Sequence, residues 1–374
     1  MHAARDLLRW FLVGTTLSGA AAACSSPDDP PLAADGAVTA DSAVLVDGAG
    51  AVNADAGGAL RTRIYATFAS HNEDDRNAVC ARGLFGLSGP AVGMWAGQTV
   101  PPRDHYLTVR AATVGFAEMI AETGAAYDLQ SDYPFLDAVD RYDDATVTTD
   151  TDGKNLIEWL ATFAPGRVVV DPHSHEHGYG GEPLNIADAA AFIDELSGLP
   201  TTGVVGGFIA TPVADENWTR FLSGPTRALR VRSAGYEWAP RVLWGGGSPG
   251  HTEDVEISGV WRPAGAESFD QHDPQGPLPN IGRWGGPVGT ATGLDELLAL
   301  LRAGSLEAGQ MYTVTIMNAQ CGFDQARIDE VRAIIDAHAA DVAAGDLVWA
   351  TLPEVRRAWV EDYGGVPMVR HRTP

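Results

Sequence analysis

Arg167-Val168-Val169-Val170-Asp171-Pro172-His173-Ser174-His175-Glu176-His177 is the stretch that decides how the chain is read. Its three consecutive valines form a short apolar run of the kind buried on both faces in a parallel sheet. Three of the chain's ten histidines then fall at positions 173, 175 and 177, with Glu176 among them. Neutral imidazole is the commonest protein metal ligand, and alternate residues of an extended strand point the same way. A buried strand that delivers imidazoles at its end is therefore a candidate metal-binding element.

On either side, apolar runs alternate with helical periodicity. Arg63–Ser70 reads as the first strand, 108–123 as a helix stopped by Gly124, and 126–130 as a second strand. A helix over 155–160 precedes the valine strand, and another over 186–196 follows it. Strands are expected over 203–209, 241–244, 259–261, 312–317 and 347–351, with helices over 294–301, 326–343 and from Leu352 onward, where Pro353 suits a first turn. This alternation implies a parallel sheet, and seven or eight such units imply a single distorted (β/α)7–8 barrel, with an open doubly wound sheet as its competitor. No Gly-x-Gly-x-x-Gly follows the first strand, so a dinucleotide fold has no support. Gly245–Gly293, rich in Gly, Pro and Trp, reads as a long excursion over one barrel face.

The segments ahead of the barrel are of another kind. Arg5 and Arg9, the apolar run Trp10–Leu17 and the small residues Ser18–Ala23 have the form of a secretory signal over 1–23. Cys24 ends that run, as the lipidated cysteine of a bacterial lipoprotein does. Residues 24–60 carry recurring Asp among Ala, Gly, Pro and Val, with no Lys or Arg, and read as a disordered tether. The folded domain is then 61–374, exported and held at the cell envelope, the outer membrane being the expected one, by a lipid anchor only. The formal charge of −24 argues against a nucleic-acid partner. With Cys24 lipidated, Cys80 and Cys321 are left, as either one disulfide or two buried thiols.

In a parallel barrel the strand C-termini share one rim, where active sites sit. The first strand runs into His71-Asn72-Glu73-Asp74-Asp75, the valine strand into His173–His177, the strand near Trp244 toward His251, and the 312–317 strand into Asn318-Ala319-Gln320-Cys321. Polar residues thus gather at one end of several strands. A serine hydrolase is disfavoured: Gly246-Gly247-Ser248-Pro249-Gly250 places a proline where the helix after a nucleophile would begin.

His173-Ser174-His175-Glu176-His177, the end of a mid-domain strand, resembles the His-Ser/Thr-x-x-His motif of the polysaccharide deacetylase superfamily, whose members use a distorted β/α barrel. Thr67-Phe68-Ala69-Ser70-His71-Asn72-Glu73-Asp74-Asp75 is an analogue of that family's Thr-Phe-Asp-Asp strand end, with the carboxylates displaced along the loop. The resemblance implies a divalent metal, commonly zinc, held by His173, His177 and Glu73, with Asp74 and Asp75 as candidate bases. It further implies a metal-dependent hydrolase that removes N- or O-acetyl groups from a cell-surface or extracellular polysaccharide. Trp261-Arg262-Pro263 loosely echoes a later Arg-Pro motif. Asn318 and Gln320 stand where the family carries a final histidine. Trp244, Trp261, Trp284, Tyr179 and Tyr236 are candidates for stacking on sugars, with core packing as the alternative.

Two other readings stay open. Asp171-x-His173-x-His175 also fits the Asp-x-His-x-His element of amidohydrolase and PHP-type enzymes, with His173 and His175 as ligands. A barrel without turnover, acting as a metal- or glycan-binding surface lipoprotein, is the non-enzymatic alternative.

Overall fold

The computed structural model describes residues 60–72, 103–173, 182–206, 218–244, 256–319 and 324–372. Its centre is β1 (Arg63–Asn72), the longest of the described strands. Along one edge β1 pairs in parallel with β11 (Met311–Ala319). Its other edge is shared in succession by β12 (Leu347–Trp349), opposite Ile64–Ala66, and β2 (Tyr127–Ser131), opposite Phe68–Asn72. β2 in turn pairs in parallel with β3 (Val168–Pro172), completing a five-stranded parallel sheet. The strand expected over 63–70 thus runs two residues further. His71 and Asn72 lie on the ladder, opposite Gln130 and Ser131.

Alternation along these strands separates two environments. Ile64, Ala66 and Phe68 of β1, Tyr127 and Leu129 of β2, and Val168 and Val170 of β3 join the core under the helices. That layer consists mainly of α1 (Arg103–Thr123), α2 (Tyr133–Tyr142), α3 (Leu156–Phe163), α4 (Ile186–Ser197), α5 (Thr292–Arg302) and α6 (Gln325–Ala337). Tyr65 and Ala69 face the other way, into a second core with Val204, Val242, Trp244 and Ile281.

The helices start where the sequence supplies acceptors for unpaired N–H groups. Asp132 accepts from the Phe135 N–H, Asn155 from the Glu158 N–H, and Asn185 forms a capping box with Asp188. α2 has no counterpart among the sequence expectations, although Asp132 and the early Pro134 mark its start. The helix expected over 326–343 is two, α6 and α7 (Ala339–Ala344), separated by His338, whose ring meets Asp295 at 3.4 Å and Asp341 at 3.3 Å. α1 is anchored by Arg110, buried, whose guanidinium reaches Asp143 at 2.9 Å, Asp150 at 2.8 Å and the Thr151 hydroxyl at 2.8 Å.

A second, smaller sheet has the order β4 (Val204–Gly206), β7 (Val242–Trp244), β10 (Asn280–Ile281), β9 (Val260–Trp261). Its β4–β7 and β7–β10 pairs are parallel, and β9 is antiparallel to β10. The region read as an excursion over one face therefore contributes two of these strands, together with β8 (Ile257–Ser258), which pairs with β13 (Arg370–His371). The remaining pair, β5 (Thr226–Arg227) with β6 (Glu237–Trp238), forms a small ribbon that packs on α4.

The two sheets meet at both edges. On one side an isolated parallel bridge links His173 to Gly206. On the other, the Ser258 and Thr313 side chains bond the opposing backbone, and the Thr315 N–H donates to the Arg283 carbonyl at 2.6 Å. The expected barrel is thus met in part. A central parallel sheet has helices on its outer side, and a second sheet faces its inner side. The described ladders do not run continuously around the axis. α8 (Leu352–Glu361), capped by Thr351 and Glu354, sends Leu352, Val355 and Trp359 into the inner core beside Tyr65, near the start of β1. No described helix is long and apolar enough to cross a membrane.

Candidate functional site

At the opposite end of the inner face the residues turn polar. Period-two alternation places His71 of β1 on the same side as Ala69. Asp128 and Gln130 of β2, and Asp171 with the following His173 of β3, face that side for the same reason, since Tyr127, Leu129, Val168 and Val170 face the helices. Asp128, Gln130, Asp171 and His173 are all fully buried, whereas His71 is half-buried.

His71 and His173 stand on strands separated by β2, yet their rings meet. The centroids lie 4.0 Å apart with 30° between the planes. Trp244 of β7 sets its edge against His71, at 5.4 Å and 83°. Its indole N–H donates to the Thr315 hydroxyl at 3.0 Å, and the Arg283 guanidinium lies 5.5 Å from its ring centre. The His71 ring thus rests on a side chain that is itself held in place. His173 is fixed through its main chain: its N–H donates to the Ser131 carbonyl at 2.9 Å, and it bridges to Gly206.

Beneath the imidazoles lie two carboxyl groups in unequal surroundings. Asp171 accepts from the Thr202 N–H at 3.0 Å and from the Thr202 hydroxyl. Burial pushes its pKa up to about 7, while the Thr202 hydroxyl and the backbone N–H groups of Val204, Thr202 and Gly203 pull against that rise. Asp128 has no such set of donors: among the described residues only the neighbouring Gln130 amide approaches it. Burial, then the neighbouring Asp171 charge, raise its pKa far above the carboxylate range, opposed by the adjacent Gln130 amide. Two carboxyls that repel in a dry interior hold a proton on the one with fewer donors, here Asp128.

Several residues singled out in the sequence have other duties. Asp171 is committed to Thr202, just ahead of β4. Ala69 and Ser70 follow Thr67-Phe68, so the last turn of that motif carries no carboxylate on the strand itself. The Ser70 hydroxyl is bonded to that of Tyr127 at 2.5 Å, under the helices. Asn318 accepts from the Arg327 guanidinium at 2.6 and 3.0 Å. Trp244, Trp261 and Trp284 are 1–2 % exposed and belong to the core, which settles them as packing residues and not sugar platforms. The Trp261 indole donates to the Phe269 carbonyl, and Arg262 lies over the Trp359 ring at 4.8 Å. Tyr236 is partly buried, its hydroxyl donating to Asp194 at 2.6 Å.

Glu73, Asp74, Asp75, His175, His177, Tyr179, His251 and Gln320 lie outside the described residues, as do Cys24, Cys80 and Cys321. Asp128 and Gln130 are site residues that the sequence did not single out, and His71, named at the end of the first strand, was given no role there. The signal for His71 was present: it keeps the period of Thr67 and Ala69, so a strand continued by two residues carries it inward. A divalent ion fits the two imidazoles that meet here, as borderline nitrogen donors. Among the described residues no group of three His, Cys, Asp or Glu side chains surrounds a common point, so His71 and His173 are a partial donor set.

Three solved structures align with most of this chain at low identity. A structure described as a polysaccharide deacetylase from Mycobacterium smegmatis is 14% identical, with a TM-score of 0.42, over 85% of this chain and 96% of that one. One described as a polysaccharide deacetylase from Pseudomonas aeruginosa PAO1 is 10% identical, with a TM-score of 0.41, over 80% and 92%. Puue allantoinase is 12% identical, with a TM-score of 0.45, over 80% and 90%. No family model and no curated protein matches the sequence. Residue roles therefore rest on the geometry of this chain.

Proposed function

We propose that this chain is an exported, lipid-anchored hydrolase of the carbohydrate deacetylase type, dependent on a divalent metal, zinc by preference, and acting on an acetylated polysaccharide at or beyond the cell envelope. The observation that carries the reading is the ring contact of His71 and His173 at the C-terminal ends of parallel strands. That is the end of a β/α fold at which active sites sit. A divalent ion bound there supplies Lewis acidity toward an acyl carbonyl. His173 and His177 are assigned to hold it, with Glu73. Asp74 or Asp75 takes the proton from the attacking water. The signal at 1–23, the lipidated Cys24 and a Cys80–Cys321 disulfide belong to the same proposal.

The test is release of acetate from acetylated chitooligosaccharides, acetylated xylan and peptidoglycan by the metal-loaded protein. Acetate from one of them, abolished by chelation and restored by the metal, supports the reading. Stoichiometric metal with no acetate from any of them overturns it in favour of a binding protein without turnover. That second reading has its own support: Ala69 and Ser70 leave the strand end without a carboxylate, and Asn318 is engaged by Arg327 where an acid histidine is expected. Comparing peptide masses before and after reduction tests the disulfide, which free thiols at both cysteines would refute.

A further inference from the structure

Metal ligation at this site has so far been assigned on motif grounds, to His173, His177 and a carboxylate after β1. The geometry points to a different first-strand donor: we infer that His71 is itself a metal ligand, paired with His173. The inference rests on the metal-dependent reading above and sharpens it.

Three observations carry it. The first is contact. Residues on β1 and β3 are separated by a whole strand, and side chains at such positions ordinarily pack on the strand between them. Here the two rings are in contact, their centroids 4.0 Å apart and their planes at 30°. Burying two imidazoles against each other is costly if either becomes charged, and a cation accepting a lone pair from each removes that cost. The second is support. Trp244 sets its edge against His71 and is anchored through Thr315, as an outer partner fixes the ring of a ligating histidine. The third lies on the strand between. Gln130 is fully buried, stands opposite both His71 and Asp171 in register, and faces the same side. Its amide lies beside the Asp128 carboxyl, and no other described group bonds it. Water carried by a bound ion would satisfy the amide's remaining hydrogen-bonding capacity. An imidazole from β1 also accounts for Ala69 and Ser70: the nitrogen donor two positions on replaces the missing oxygen donor.

The test uses the full-length protein loaded with Zn(II) and freed of excess metal. Metal content is measured by mass spectrometry, and affinity by competition with a chromophoric chelator. Wild type is expected to hold stoichiometric zinc. His71→Ala and His173→Ala should each weaken binding by more than about 100-fold, beyond what loss of a supporting group produces. Pulsed EPR of the Cu(II)-loaded protein, which counts coordinated imidazoles, should lose one ring in His71→Ala, a change that a purely structural role would not give. Should His71→Ala fail to fold, as judged by circular dichroism, His71→Asn provides the same measurement with the ring volume mostly kept. Zinc lost in His173→Ala and retained at wild-type affinity in the His71 variants overturns the assignment of His71 and leaves the metal reading standing. A wild-type protein that takes up no divalent metal overturns both.

Discussion

Gly206 and Gln130 exclude each other's growth. A Cβ built on Gly206 would fall 1.7 Å from the Gln130 amide oxygen and 2.7 Å from its carbonyl carbon. Because Gly206 is also the bridge partner of His173, the close approach of β4 to Gln130 sits at the junction of the two sheets. Gln130 is at the far end of a flexible side chain, but it is fully enclosed and has little room to swing aside. Gly206→Ala should therefore destabilise the fold by about 1–3 kcal/mol, as overpacking does. Adding Gln130→Ala should recover much of the loss. Chemical denaturation of the two single variants and the double variant checks both halves, and additivity would refute the contact.

The buried acid pair should make stability depend on pH in a definite sense. The Asp128 pKa is raised in the folded state, so its proton is bound more tightly there than in the unfolded chain. Its contribution is fully present below the unfolded carboxylate value of about 3.9 and is lost as pH rises through the folded value, at up to about 1.4 kcal/mol per unit. Asp128→Asn, which cannot ionise, should match wild type in acid and exceed it progressively as pH rises from there. Melting temperatures across that range are the measurement, and parallel curves would count against a raised Asp128.

Arg110 should be among the least replaceable residues outside the site. The same Asp143 carboxylate accepts from its Nε, from the Tyr106 hydroxyl at 2.7 Å and from the Leu156 N–H. Arg110→Met removes the charge and leaves Asp143 buried with a poorer set of donors, at a cost of about 3–5 kcal/mol. Pairing it with Asp143→Asn should cost less than Arg110→Met alone. Urea midpoints of the three proteins decide the point.

Trp244→Phe tests the support of His71. The phenyl ring retains an apolar edge but loses the indole N–H bond to Thr315 and part of the volume against His71. Zinc affinity should fall about 10- to 100-fold, with stability changed far less than by Arg110→Met. Unchanged affinity in a folded Trp244→Phe protein would show that the indole is packing alone.

Much of the fold was legible in the sequence, because apolar runs and helix caps are local signals. The valine strand lies where the sequence set it, and Asn155, Gly124 and Pro353 punctuate the helices as their chemistry dictates. What was not legible depended on partners distant in sequence. β1 runs on through His71 and Asn72 because β2 and β11 offer it ladder partners, and no propensity of those two residues announces that. The break at His338 is held by Asp295 and Asp341, one of them on another helix. Trp244, Trp261 and Trp284 stand in a Gly- and Pro-rich region that suggests loops, yet short strands of a second sheet bury them. At the site, the histidine-rich run was plain. Its contact with a single histidine some hundred residues earlier was not, since only the register of three strands brings the two together.

His173 has two attachments with separate consequences. Its main chain closes the seam to Gly206, while its ring rests on His71. A ligand held by that ring would add its binding free energy to the closed seam by mass action. The two sheets would then part more rarely when the site is filled, and the slowest-exchanging amides near Ser131 and Gly206 would report occupancy from the backbone. The histidine that meets the ligand would also act as the latch between the two halves of the fold.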